Sequence, residues 1–172
     1  VSGIPPGSAS VFRYDPAHPT PAVGGPSMLT DETSVDNREL ERRSDVLVFT
    51  SLPLLADVVI IGTPRARLTL SSDNRFHDVF VRLCDVHPDG SSMNLGGGCS
   101  AWTASTPDRT GSARSNSNSG RPLTGSPPGH RIRVQVSGGA HPRYARNPGT
   151  GEPLATAVHT VPARSPSTTT PG

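Results

Sequence analysis

Glycine and proline recur at short intervals along the whole chain and limit what it can fold into. The 172 residues include 18 glycines and 19 prolines, while hydrophobic residues make up only 32% of the total. Proline fixes one backbone torsion and lacks an amide donor, so it interrupts helices and interior strands. No apolar run approaches the roughly 20 residues that a membrane-spanning helix needs. The composition therefore favours a single loop-rich β domain.

Several short segments alternate apolar and polar residues as half-buried strands do, with turn residues between them. The clearest is Asp78–Val86, and the Pro88-Asp89-Gly90 turn follows it. On one face this strand carries Val79, Val81, Leu83 and Asp85, and on the other Phe80, Arg82, Cys84 and Val86. The further predicted strands are Asp45–Thr50, Val58–Ile61, Ala66–Ser71, Ser92–Leu95 and Arg131–Ser137. This arrangement predicts an all-β fold, a β-sandwich or jelly roll.

Composition also suggests where the ordered domain lies. Residues 1–44 are punctuated by proline and glycine, which predicts an extended linking segment that leads into the domain. Residues 45–164 are predicted to form the β-sandwich, and residues 165–172 a disordered tail. Within the domain, residues 99–127 have almost no apolar content, so we expect a loop or disorder there.

Charge and the chain ends give a few further expectations. The net charge is only +2, which gives no electrostatic argument for a nucleic-acid partner. All 16 basic residues are arginine, which is typical of a GC-rich gene. No signal peptide is visible, so we expect a cytoplasmic protein and no membrane partner. The start on Val1 suggests that the natural N-terminus is missing.

The sequence offers few catalytic or metal-binding candidates. Cys84 and His87 have the spacing of half a zinc site, which His77, Cys99 or His130 could complete. Zinc sites usually present two close ligand pairs, and strand alternation makes Cys84 a small buried hydrophobe instead. No Gly-x-Ser-x-Gly nucleophile motif occurs, and Gly96-Gly97-Gly98 lacks the strand and helix of a phosphate loop. We therefore expect no catalytic, cofactor-binding or metal-binding residue.

Four arginines, Arg131, Arg133, Arg143 and Arg146, could form a basic patch. The first two alternate with apolar residues, which favours the solvated face of a strand. No aromatic residues are interleaved to stack on bases, so this pattern does not indicate nucleic-acid binding.

Two long motifs resemble a known family. They are Val81-Arg82-Leu83-Cys84-Asp85-Val86-His87-Pro88-Asp89-Gly90 and Pro128-Gly129-His130-Arg131-Ile132-Arg133-Val134. Both resemble the C-terminal non-catalytic domain of X-Pro dipeptidyl-peptidase and cocaine-esterase-type (CocE/NonD) serine hydrolases. The resemblance extends over Phe12–Ala157, except for Cys99–Pro127. It implies a galactose-binding-like jelly roll, which is incomplete here if the exception lacks a strand.

The resemblance also implies a function. In this family the C-terminal domain packs on an upstream α/β-hydrolase domain, which holds the catalytic triad, and helps to shape the substrate cleft. His87 falls in a structural turn of the family, and Arg143–Asn147 would be a docking loop. On this interpretation the chain needs no cofactor and is inactive alone. The alternative is a stand-alone β-sandwich binding module, such as a carbohydrate-binding one, which would need exposed aromatic residues.

Residues 99–127 could also result from a lost reading frame. Arg114–Ser126 can be encoded by codons that, read from the third base, give Val-Glu-Leu-Glu-Leu-Trp-Pro-Thr, a sequence of the kind that this family has just before its Pro-Gly-His-Arg turn. Ser165–Gly172 can likewise be encoded by codons that, read from the third base, contain Pro-Val-Tyr-His-Asp-Pro, a stretch of the kind that this family has before its last strand. We therefore hypothesise that the frame is lost near Cys99, regained near Pro128 and lost again after about Thr156, and Trp102 would then be an artefact.

Overall fold

The computed structural model describes residues 10–24, 34–61, 65–103, 109–114 and 123–168. These residues form ten strands and one helical turn. In chain order they are β1 Ser10–Tyr14, α1 Arg38–Glu41, β2 Val46–Thr50, β3 Val58–Ile60, β4 Arg65–Leu70, β5 Phe76–Val86, β6 Ser92–Thr103, β7 Arg109–Arg114, β8 Leu123–Ser126, β9 Arg131–Ser137 and β10 Ala163–Thr168. The all-β prediction is confirmed. Within the described ranges, no helix has the length and apolar character to cross a bilayer.

Two four-stranded antiparallel sheets make up most of the structure. Their strand orders are β1-β10-β4-β7 and β2-β9-β5-β6, and β3 pairs separately with β8. The sheets share one apolar core, in which β1 and β4 of the first sheet meet β2, β5 and β9 of the second. Its buried members are Phe12, Tyr14, Phe49, Leu68, Leu70, Val79 and Val136. The finer assignment to a galactose-binding-like jelly roll stays a prediction.

The face of β5 opposite the core is covered by α1 and its flanking residues. The Glu41 carboxylate, only 6% exposed, accepts hydrogen bonds from the Ser92 hydroxyl (2.6 Å) and the Gln135 amide (2.7 Å), and an ion pair with Arg133 completes its shell. The interpretation of Arg133 as part of a solvated face is therefore wrong. These polar side chains can be buried between the sheet and the helical turn because each has a hydrogen-bond partner.

The six strands predicted from alternation all occur, five of them with ends within two residues of the prediction, while β6 extends to Thr103, eight residues beyond its predicted end. Three expectations about weakly patterned segments need correction. Residues 10–14, expected in a linking segment, are β1, and residues 165–168, expected in a disordered tail, belong to β10. Part of residues 99–127 also lies in strands, namely the end of β6 and all of β7 and β8. The domain boundaries themselves stay a prediction.

The physical reason for these corrections is that strand pairing uses main-chain groups. A polar or glycine-rich segment can therefore join a sheet whose neighbouring strand already presents free amide and carbonyl groups. Val81 and Arg82 of β5, for example, pair with Gly98 and Gly97 of β6. The composition of a segment does not show which strand lies beside it in the sheet.

Candidate functional site

Asp85, His87 and His130 come together where β5 ends and β9 begins. Asp85 and His87 are two residues apart, so they point to the same face of the sheet. In the antiparallel register Val86 is opposite Arg131, which brings His87 beside His130. The cluster therefore follows directly from strand alternation and pairing.

Two turns hold the histidines in place. After β5, the His87 carbonyl accepts from the Gly90 amide (2.9 Å), and Gly90 has φ +87°, which a residue with a Cβ rarely adopts. Before β9, the His130 amide donates to the Pro127 carbonyl (3.2 Å), and Gly129 has φ +86°. The two glycines thus fix both backbone reversals beside the cluster.

The Asp85 carboxylate is the centre of the cluster. The Nδ1 of His130 lies 3.0 Å and 2.9 Å from its two oxygens, which is hydrogen-bonding distance. The Nε2 of His87 lies 3.6 Å from Oδ2, and the two imidazole centroids are 4.5 Å apart. The Asp85 side chain is 10% exposed and that of His87 is 39% exposed, so the cluster opens to solvent on the His87 side.

This arrangement lacks the nucleophile that a hydrolytic triad needs among the described residues. A triad requires a hydroxyl or thiol bonded to the imidazole. The nearby hydroxyls of Ser91 and Ser92 are bonded instead to carboxylates of Asp89 (2.7 Å) and Glu41 (2.6 Å). What the cluster offers is one carboxylate oxygen and two imidazole nitrogens, all within 4.8 Å of one another.

The sequence-based metal candidates do not come together as a set. Cys84 is fully buried on the opposite face of β5 from His87, and burial raises the pKa of its thiol to about 12, so it stays protonated at neutral pH. His77 lies near the start of β5, at the far end of the strand. The side chain of Cys99 lies outside the described residues. Asp85 is the ligand candidate that sequence analysis overlooked, although its alternation with His87 could have revealed it.

Each of the four candidate arginines has its own contact within the domain. Arg131 donates to the Ser51 carbonyl (3.1 Å), and Arg133 is held by Glu41. Arg146 donates to the Pro16 carbonyl (3.2 Å), while the guanidinium of Arg143 lies 5.8 Å from the centroid of the Tyr144 ring. These contacts give each of the four side chains a structural role and lend no support to a nucleic-acid-binding patch.

A shallow cleft of about 320 Å³ lies beside the turn after β1. Two of its charged groups are paired with each other: Arg43 places Nε and Nη2 at 2.7 and 2.8 Å from the two oxygens of Asp45. The Thr20 hydroxyl also donates to Asp45 (2.8 Å). These contacts tie residues 18–20 to the segment before β2, so we assign the cleft a structural role.

The described residues thus form an all-β domain whose buried polar groups beside α1 are paired within the domain. Residues 6–116 match the family described as the X-Pro dipeptidyl-peptidase C-terminal non-catalytic domain. The chain belongs to this family of C-terminal domains, found in CocE/NonD hydrolases. The resemblance inferred from the two motifs is confirmed.

Similar proteins include the cocaine esterase of Rhodococcus sp. (strain MB1 Bresler), which is 35% identical over 157 residues that cover 86% of this chain. Among solved structures, an aminopeptidase from a marine sediment Thaumarchaeota archaeon superposes with a TM-score of 0.78 at 26% identity over 93% of this chain. An α-amino acid ester hydrolase gives a TM-score of 0.78 at 25% identity over 97%. The chain spans only 27% of the length of the cocaine esterase and 31% of each of these two structures.

Proposed function

We propose that this chain is the accessory C-terminal domain of an α/β-hydrolase-type serine hydrolase that acts on X-Pro dipeptides or on acyl esters. In this proposal the domain packs on the catalytic domain and helps to shape its substrate cleft. The names of the relatives, an esterase, an aminopeptidase and an amino acid ester hydrolase, support the substrate class. Their extra length supports a catalytic domain elsewhere in the parent protein.

The observation that carries the proposal is an exposed apolar surface that runs from just after β2 to just after β3. Within ten residues, four large apolar side chains are exposed by more than half, namely Leu52 (64%), Leu55 (97%), Val59 (59%) and Ile61 (83%). A patch of this kind on a soluble domain usually marks a protein interface. We infer that this surface, residues 52–61, is covered by the catalytic domain.

A second surface, the docking loop Arg143–Asn147 inferred from the family resemblance, lies at the other end of β9. The 52–61 surface adjoins the start of β9, where the Leu54 amide donates to the His130 carbonyl (2.7 Å). In the docking loop, Asn147 is bonded to Asp78 (2.9 Å), and Tyr144 packs on Phe80 with ring centroids 5.7 Å apart. The loop is thus engaged within its own domain, and the apolar surface is the stronger candidate.

The alternative of a stand-alone carbohydrate-binding module has less support. Such a site stacks sugar rings on exposed aromatic side chains. Every aromatic side chain that the structure describes is buried or half-buried: Phe12, Tyr14, Phe49, Phe76, Phe80 and Tyr144.

A test requires the DNA upstream of the Val1 codon. We expect an in-frame coding region for a domain with a Gly-x-Ser-x-Gly nucleophile motif. The catalytic segment and this chain, produced as two polypeptides, should then copurify. The Leu55→Asp variant should abolish copurification, because it places a charge in the apolar interface.

Val158→Asp is the matched control, since Val158 is 81% exposed but follows the docking loop and lies outside the 52–61 surface. Loss of binding with Val158→Asp but not with Leu55→Asp would contradict the assignment of the surface. The absence of any upstream hydrolase domain, or of binding by the unmodified chain, would contradict the proposed function.

A further inference from the structure

We propose that Asp85, His87 and His130 form a binding site for one zinc ion. The proposal is independent of the proposed function, because it concerns only side chains within this domain. Two imidazole nitrogens and one carboxylate oxygen are donors that zinc accepts readily.

The geometry of the cluster matches what zinc requires. Zinc binds imidazole nitrogen and carboxylate oxygen at about 2.0–2.2 Å, which in a tetrahedral site puts neighbouring ligand atoms about 3.4 Å apart. The distances from Asp85 Oδ2 are 2.9 Å to His130 and 3.6 Å to His87, one on each side of that value. All three ligand atoms lie within 4.8 Å of one another. A small inward movement of the His87 side chain would therefore let all three coordinate one ion.

Hydrogen bonding alone explains only half of the cluster. The pair of Asp85 and His130 forms a good hydrogen bond, and such a pair could simply cap the end of the sheets. His87, however, is 3.6 Å from the carboxylate, beyond hydrogen-bonding range, yet its ring turns toward the same carboxylate. A shared cation would account for the convergence of both imidazoles on one carboxylate.

The surroundings also suit a cation. On β9, alternation directs Arg131 and Arg133 away from the cluster, and both guanidinium groups are bonded elsewhere, to Ser51 and to Glu41. The His87 side chain is 39% exposed, which gives an ion access from solvent. Three protein ligands would leave the fourth position of a tetrahedral ion for water.

This proposal departs from the sequence-based expectation of no metal site, which rested on Cys84 as the partner of His87. Alternation along β5 directs these two side chains to opposite faces of the sheet. Asp85, and not Cys84, is therefore the residue that lies on the same face as His87. The site therefore contains no sulfur ligand, which gives the test a spectroscopic signature.

The test is a zinc titration of the full chain after removal of metals with EDTA. We expect one zinc ion per chain and a Tm that rises with free zinc, because a ligand that binds only the folded state stabilises it. His87→Ala removes a ligand from a half-exposed position and should weaken zinc binding by more than about 100-fold, since even second-shell losses cost 10–100-fold. Circular dichroism without zinc checks that the variant is folded.

His159→Ala is the control, because His159 is exposed and lies far along the chain in the segment before β10. It should bind zinc as the unmodified chain does. Cobalt substituted for zinc should show a d–d spectrum without a sulfur charge-transfer band. The proposal is overturned if the unmodified chain does not bind zinc saturably, if His87→Ala binds as tightly, or if cobalt shows thiolate ligation.

Discussion

At the residue scale, His77 shows how burial sets the chemistry of single side chains in this domain. The residue is 3% exposed near the start of β5, and its Nδ1 lies 3.0 Å from the Asn74 carbonyl oxygen. Burial lowers the pKa of the His77 imidazole, and the hydrogen bond to Asn74 opposes that change only in part. The folded chain therefore favours the neutral form of this ring more strongly than the unfolded chain does.

A pH dependence follows from this lowered pKa. Below the unfolded-state value of about 6.5, the unfolded chain binds a proton that folded His77 resists, so the free energy of unfolding falls as the pH falls. The loss at this site is at most about 1.4 kcal/mol per pH unit, until the folded pKa is reached. Well above pH 6.5 both states hold the neutral ring, and the site makes no pH-dependent contribution.

We expect His77→Gln to flatten this dependence in urea denaturation between pH 7.5 and 5.5. His159→Gln removes an exposed imidazole by the same chemical change and should leave the slope as it is in the unmodified chain. Equal slopes for the unmodified chain and His77→Gln would contradict the assignment to His77.

At the scale of elements, one buried carboxylate contributes to the placement of α1, a helix of four residues. The Glu41 carboxylate accepts hydrogen bonds from Ser92 of β6 and from Arg133 and Gln135 of β9. It therefore joins α1 to two strands of one sheet. A helix this short has little stability of its own, since helix nucleation is costly. Its position therefore depends on these side-chain contacts.

We expect Glu41→Ala to lower the free energy of unfolding by about 2–4 kcal/mol, because it removes the carboxylate that pairs with a half-buried arginine and accepts from a buried amide. Glu39→Ala removes a carboxylate from the same helical turn, but that side chain is 83% exposed and pairs only with Arg42. This control should change stability by less than about 0.5 kcal/mol. Similar losses for both variants, measured by urea denaturation, would show that Glu41 does not clamp the helix.

The same scale explains how much the sequence could predict. β5 and β9 were predictable because valine, leucine and isoleucine alternate with polar residues and turns bound them. β1 and β10 were not, since Phe12 finds its cross-strand partner, Ser165, 153 positions further along the chain. The contact between Asp85 and His130 could be predicted only if β5 was assumed to pair with β9. Alternation shows that each segment is a strand, but it does not show which strands are neighbours.

At the scale of the whole molecule, the reading-frame hypothesis stays a prediction. The described strands β7 and β8 lie inside the suspect segment, and residues 104–108 and 115–122 beside them are outside the description. If the frame is disturbed, independent sequencing of the locus should show an inserted or deleted base near codon 99 and a compensating one near codon 127. The restored frame should encode an alternating strand that ends in Leu-Trp-Pro-Thr. Intact codons in repeated sequencing would dismiss the hypothesis.

The pairing of β1 with β10 has a consequence for synthesis. Phe12 and Tyr14 are translated about 150 residues before Ala163–Thr168, the strand that pairs along β1. Until that strand emerges from the ribosome, two aromatic side chains of the core have an unprotected edge beside them. The domain therefore cannot complete its fold before residues 163–168 are translated, and during that interval β1 presents an unpaired edge that is open to pairing with other strands.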